Sequence, residues 1–233
     1  MSPFIRRHLI FKTNFMAKQD KEAMEEKSNA KNTNGKEPSN RRNGNDSEDK
    51  SNTSMKNKDE EEYEGSDQKD SPLYKFFLSG LKDMLYAENK LVDALVEMEE
   101  AATTEELKDA FEDHHLVTKK HVSRLKKVFG LLNEKEEEKE CKAILGLLEE
   151  AKEIIKSTEE GTVTRDVALI IAAQKLEHYE IASYGGLAQL AITMDMDKVA
   201  DLLERTLEEE EATDVYLTEI AEGSINMEAD EED

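Results

Sequence analysis

A single cysteine, Cys141, stands in 233 residues, which excludes an intramolecular disulfide and leaves a cysteine-based zinc site without its ligands. Proline occurs only at positions 3, 38 and 72, so no proline interrupts a helix beyond Pro72. No stretch reaches the ~18 consecutive apolar residues of a bilayer-spanning helix, and no membrane partner is expected. Positive charge is also scarce: 32 Lys and Arg face 55 Asp and Glu, a formal net charge of −23. Nucleic acid binding needs clustered basic side chains to displace counterions from phosphates, so nucleic acid is not an expected partner. Acid on this scale serves solubility. These absences leave a soluble protein, expected in the cytoplasm.

What is present divides the chain in two. Residues 1–70 have almost no apolar periodicity and are dense in Lys, Asn, Ser, Asp, Glu and Gly, a composition that cannot offset its chain entropy by burial. They read as a disordered polar arm. Within it, residues 1–19 hold Arg6, Arg7, Lys12 and Lys18 without any acid. Arg6, Arg7 and His8 break the apolar stretch there, so it lacks a secretory core, and translation from Met16 is an alternative reading. Residues 71–223 read as one helical domain and 224–233 as an acidic, disordered tail.

Helix starts and stops organise the domain. Ser71-Pro72 predicts a capped helix entry, and Thr103 with Glu106 predicts a capping box that opens a second helix. So short a connection makes these two helices antiparallel. A charged run, Glu134–Glu140, and a shorter amphipathic segment around Cys141–Ser157 follow. A third long helix is expected from near Thr164 to Thr193, and a fourth from a cap at Asp195 or Asp197 to near Gly223. Two antiparallel pairs joined by a long crossover make the ferritin-like four-helix bundle, all-α, with an extra short helix in the crossover. Gly185-Gly186 inside the third helix predicts close approach of a neighbour.

Each apolar stripe carries metal-capable side chains where core residues belong. Glu88 interrupts Leu81, Leu85, Val92 and Leu95; His114 and His121 lie among Phe111, Leu125 and Val128. Glu177, with Glu180 about a turn on, follows Val167 and Ile170; Glu210 and Asp214 separate Leu207 from Leu217. Inward carboxylates on three helices, facing imidazoles on the fourth, would repel and remain desolvated unless a cation neutralised them. Oxygen donors with some imidazole suit iron(II) or manganese(II). The candidate ligands are Glu88, His114, His121, Glu177, Glu180, Glu210 and Asp214. Tyr184, on the same inward face, can hydrogen-bond a ligand carboxylate.

Tyr86-Ala87-Glu88-Asn89-Lys90-Leu91, the run Ala172–Gly185 containing Gln174-Lys175-Leu176-Glu177-His178-Tyr179-Glu180, and Leu207-Glu208-Glu209-Glu210 resemble signature runs of the YciE/YciF group of ferritin-like stress-associated proteins. The resemblance covers residues 73–222. It implies a ferritin-like domain, a homodimer and a dinuclear metal centre, with no settled reaction. The second helix departs from it: His114-His115-Leu116-Val117-Thr118 has valine where the group typically has a carboxylate, one turn from His114. His121 can partly substitute. Two functions follow as expectations: a ferritin-like iron or manganese protein with a peroxide- or oxygen-related stress role, or a metal-free helical scaffold for dimerisation that has lost part of the site.

Overall fold

The computed structural model describes residues 69–232. The polar arm, as far as residue 68, and the basic segment with Met16 lie outside the described residues. Four long helices carry the domain: α1 (Pro72–Ala101), α2 (Glu105–Leu131), α4 (Val163–Thr193) and α5 (Asp197–Ile220), with the shorter α3 (Lys142–Ser157) between the pairs. No strand occurs among the described residues, and no helix there is long and apolar enough to cross a membrane.

Two apolar clusters fix the helix directions. One joins the start of α1 (Tyr74, Phe77, Leu81) to the end of α2 (Leu125, Val128, Phe129), the end of α4 (Leu187, Ala191) and the start of α5 (Val199, Leu203). The other joins the end of α1 (Leu95, Met98) to the start of α2 (Leu107, Phe111), the start of α4 (Leu169, Ile170) and the end of α5 (Leu217, Ile220). Hence α1 and α5 run one way and α2 and α4 the other, the up-down-down-up order that requires a crossover. The charged run provides it. Glu134 accepts from Tyr74 Oη at 3.0 Å, the Lys139 amide donates to Lys82 O at 3.2 Å, and Glu138 accepts from Asn89 Nδ2 at 2.9 Å, which straps the segment along α1.

Caps show where local signals held and where they failed. Ser71 Oγ accepts from the Tyr74 amide at 3.1 Å with Pro72 in the first turn, as the sequence predicts. The Thr103–Glu106 box does not form. Thr104 occupies the cap without a side-chain bond, and the amides of Thr103 and Thr104 donate instead to Asp166 of α4, at 2.7 and 2.8 Å. Met196, rather than Asp195 or Asp197, occupies the N-cap position of α5, where no side chain bonds the first amides. The Thr103 hydroxyl is committed to Thr162 O at 2.8 Å, and a buried carboxylate bound by two amides is worth more than a hydroxyl cap. Replacing Asp166 by alanine is expected to lower unfolding free energy by about 2 kcal/mol, since both amides lose their partner. Urea denaturation measures this; a loss below about 0.5 kcal/mol would assign the capping to water.

Two further expectations are corrected. Among the described residues, 224–232 are not a disordered tail: α5 continues through a π-helical turn (Ala221–Ile225) into α6 (Asn226–Asp230). Ile225 is buried in the core there, and Glu232 accepts from the Val163 and Thr164 amides at 2.7 and 2.9 Å, satisfying the start of α4. Gly185-Gly186 does not mark a close approach either. A Cβ on Gly185 would meet Leu207 at an ordinary 3.8 Å and one on Gly186 would meet nothing, whereas on Gly80 it would lie 2.8 Å from Leu187 Cδ2. The tight passage of α1 against α4 is at Gly80.

Candidate metal centre

Between the two apolar clusters the interior of the bundle turns polar. Glu88 enters from α1 between Leu85 and Leu91, His114 and His121 from α2 between Phe111 and Leu125, Glu177 and Glu180 from α4 between Leu176 and Tyr184, and Glu210 from α5 between Leu203 and Leu217. None is more than 4% exposed. Helical periodicity puts them inside: each continues the stripe of apolar neighbours that the clusters bury, so the backbone carries the charge inward with them.

The six side chains converge in two groups that share Glu210. His114, Glu177, Glu180 and Glu210 offer one set of donor atoms within 4.8 Å of one another, and Glu88, His121 and Glu210 offer the other. His121 Nδ1 lies 2.8 Å from Glu210 Oε1 and 3.6 Å from Glu88 Oε1, and His114 Nε2 lies 3.2 Å from Glu177 Oε1. These contacts lack hydrogen-bond alignment. Glu88 Oε2, His114 Nε2, His121 Nδ1, Glu177 Oε2 and both oxygens of Glu180 and Glu210 are buried without a hydrogen-bond partner; among the described residues only Thr104 Oγ1 shares that condition outside the layer. A buried polar group left so costs about 1–3 kcal/mol. Donors that point at shared space rather than at each other fit a cation that accepts from all of them.

Protons occupy that role when no cation does. Burial dominates at Glu180 and raises its pKa well above the ordinary range, reinforced by Glu210, Glu88 and Glu177. Burial likewise lifts Glu177 to about 7, against the pull of His114, and raises Glu88, against that of His121. For His114, burial acts downward but Glu177 and Glu210 outweigh it, giving about 9. His121 is raised well above its ordinary value in the same way, burial being outweighed by Glu210 and Glu88. Glu210 goes the other way. Burial would raise it, but the two imidazoles, His121 first, hold it below the usual range.

A second layer of side chains supports the first. Tyr184 Oη donates to Glu88 Oε1, as its inward position predicts. Glu209, not foreseen from the sequence, meets His121 Nε2 at 2.8 Å and is itself clamped by Arg124 through bonds of 2.8 and 3.1 Å. Burial would raise Glu209, but His121 and Arg124 outweigh it and hold it at about 2. No sequence signal marked the pair, since each alone reads as a solvated charge and only the facing of α2 and α5 brings them together.

Asp214 does not join the centre. It sits at the partly exposed edge between α4 and α5, 3.3 Å from Gln174 Nε2 and 3.5 Å from His178 Nε2. From Glu210 to Asp214 the helix turns by roughly 40° beyond a full revolution, enough to carry the carboxylate off the inward face. Val117 is buried in the core, with no donor to offer.

Comparison with known proteins places the fold in a family. Residues 73–230 match the family described as Domain of unknown function (DUF892). The chain belongs to the DUF892 family. Protein YciF of Escherichia coli K12 is 46% identical over 155 residues, 66% of this chain and 93% of that protein. The crystal structure of the E. coli stress protein YciF superposes with a TM-score of 0.63 at 44% identity, covering 66% of this chain and 97% of that one. YcfI of Rhodopseudomonas palustris matches with a TM-score of 0.62 at 35% identity, covering 64% of this chain and 94% of that one. The resemblance to the YciE/YciF group is thereby established.

Proposed function

We propose that this DUF892 protein binds iron(II) or manganese(II) in the polar layer of its bundle and serves a stress-related role directed at peroxide or oxygen. The observation that carries the reading is the set of eight buried donor atoms, on six side chains from four helices, that lack a hydrogen-bond partner. Glu88, His121 and Glu210 would hold one ion and His114, Glu177, Glu180 and Glu210 the other. Carboxylates with some imidazole and no thiolate match hard or borderline first-row ions. Either metal, once bound, supplies a redox couple and positions open to a small oxidant. The chain's own part is to hold the donors in place, through Tyr184 on Glu88 and Glu209 on His121, and to keep water out with the apolar clusters on both sides. The stress component is supported by the description of YciF as a stress protein.

Anaerobic loading with iron(II), then with manganese(II), followed by desalting and metal analysis, tests the binding. About two ions per chain are expected from the two donor groups. Fewer than one ion per chain after desalting would sink the reading. That outcome would favour a metal-free scaffold, the second reading, to which the buried Val117 points, since a valine cannot coordinate an ion.

A further inference from the structure

The two donor groups are not equivalent, and the difference lies in what stands behind His121. Among the described residues, His114 Nδ1 meets only the Thr213 hydroxyl, at 3.4 Å. His121 Nε2 faces the carboxylate of Glu209 at 2.8 Å, and Arg124 fixes that carboxylate with two bonds while also donating to Thr206 Oγ1 at 2.7 Å. An imidazole whose Nε2–H is held by a carboxylate presents Nδ1 as its free lone pair. Here Nδ1 is the atom that points between Glu210 and Glu88. The group it serves has three donors against four in the other, so it depends more on each of them.

We infer that Glu209 and Arg124 are positioning residues for one ion position only, that of Glu88, His121 and Glu210, and that this position fills after the four-donor one. The inference rests on the metal-binding reading above. Glu209 acts by fixing the tautomer and ring orientation of His121, and Arg124 by holding the Glu209 carboxylate in place with its two bonds. Neither side chain contacts His114, Glu177 or Glu180; the Glu209 carbonyl accepts from the Thr213 hydroxyl that faces His114, and a side-chain substitution leaves that carbonyl in place.

The test is titration of the full-length chain with manganese(II), with free ion followed by electron paramagnetic resonance. Wild type should bind in two resolvable steps. Glu209→Ala should weaken the second step by about ten- to a hundredfold, the usual cost of removing a histidine's supporting carboxylate, and leave the first within about twofold. Glu209→Gln retains an oxygen that accepts from Nε2–H, so the second step should recover to within about threefold of wild type. Arg124→Met should weaken the same step by a smaller factor, and it stands in for Glu209→Ala if that variant does not fold. General loosening of the bundle would weaken both steps together. Equal losses in both steps, or no loss in either, would overturn the inference while leaving metal binding intact; a wild-type chain that binds neither manganese(II) nor, loaded anaerobically, iron(II) would overturn both.

Discussion

Glu210→Ala is expected to abolish binding at both ion positions at once. Glu210 is the side chain common to the two donor groups, and both its oxygens are buried without a hydrogen-bond partner. A ligand that binds only the native state stabilises it by about 4 kcal/mol at a thousandfold excess over its dissociation constant, and that entire increment should vanish in the variant. Melting curves with and without chelator measure it. Glu180→Gln makes the contrast: Glu180 belongs to the four-donor group alone, so a partial metal-dependent shift should survive. The metal-free proteins should also differ. Glu210 is the anion that faces both imidazoles, and its loss leaves buried positive charge uncompensated, a change that costs about 3 kcal/mol or more in buried pairs. Glu180, raised by burial well above the ordinary carboxylate range, already holds its proton in the metal-free chain, so Glu180→Gln should leave the stability of that chain close to wild type. If Glu210→Ala retained the full chelator-sensitive shift, the shared-ligand arrangement would be wrong.

The second large effect is a stability that falls with rising pH in the metal-free protein. Glu177 has its folded pKa raised from 4.5 to about 7, and Glu180 and Glu88 are raised as well. Each of these contributions is fully present below 4.5 and is lost as pH rises through the folded value. His114, raised from 6.5 to about 9, contributes below 6.5 and loses that contribution as pH rises through about 9; His121 acts in the same direction. Glu210 and Glu209 are depressed and oppose this only at the acid end, where their contributions fade as pH falls below the ordinary carboxylate range. Each proton held by the native state alone gives a slope of about 1.4 kcal/mol per pH unit, so a loss of at least about 2 kcal/mol between pH 5.5 and 8.5 is expected in chelator. With manganese present the trend should weaken or reverse. A bound cation needs those protons gone, and its affinity therefore rises with pH. Urea denaturation at three pH values, with and without the metal, gives both slopes. A metal-free stability that is flat or rising across this range would mean that the layer does not retain its protons.

The helices, their order and the inward carboxylates were legible in the residue pattern because a 3.6-residue period states which side of a helix is buried, whatever packs against it. Glu88, Glu177 and Glu210 could be read as interior because three helices each place one in an apolar stripe, where any one alone would read as a solvated edge, and the long charged segment between the second helix and Cys141 implied the crossover. What pattern could not state was which partner each side chain meets. Asp214 shared the stripe of Glu210 in sequence, yet a rotation of roughly 40° placed it at an edge. Glu209 looked like one more solvated acid until α2 brought His121 and Arg124 against it. The cap of α2 came from Asp166, 62 residues away from Thr104, rather than from the local box. Ile225 and Glu232 turned an acidic tail into the continuation of a helix and the cap of another. Local sequence determines periodicity and therefore burial; hydrogen-bond and ion-pair partners are decided by residues distant in the chain, and only their meeting in the folded bundle settles which carboxylates face a shared ion and which face an arginine, an amide or water.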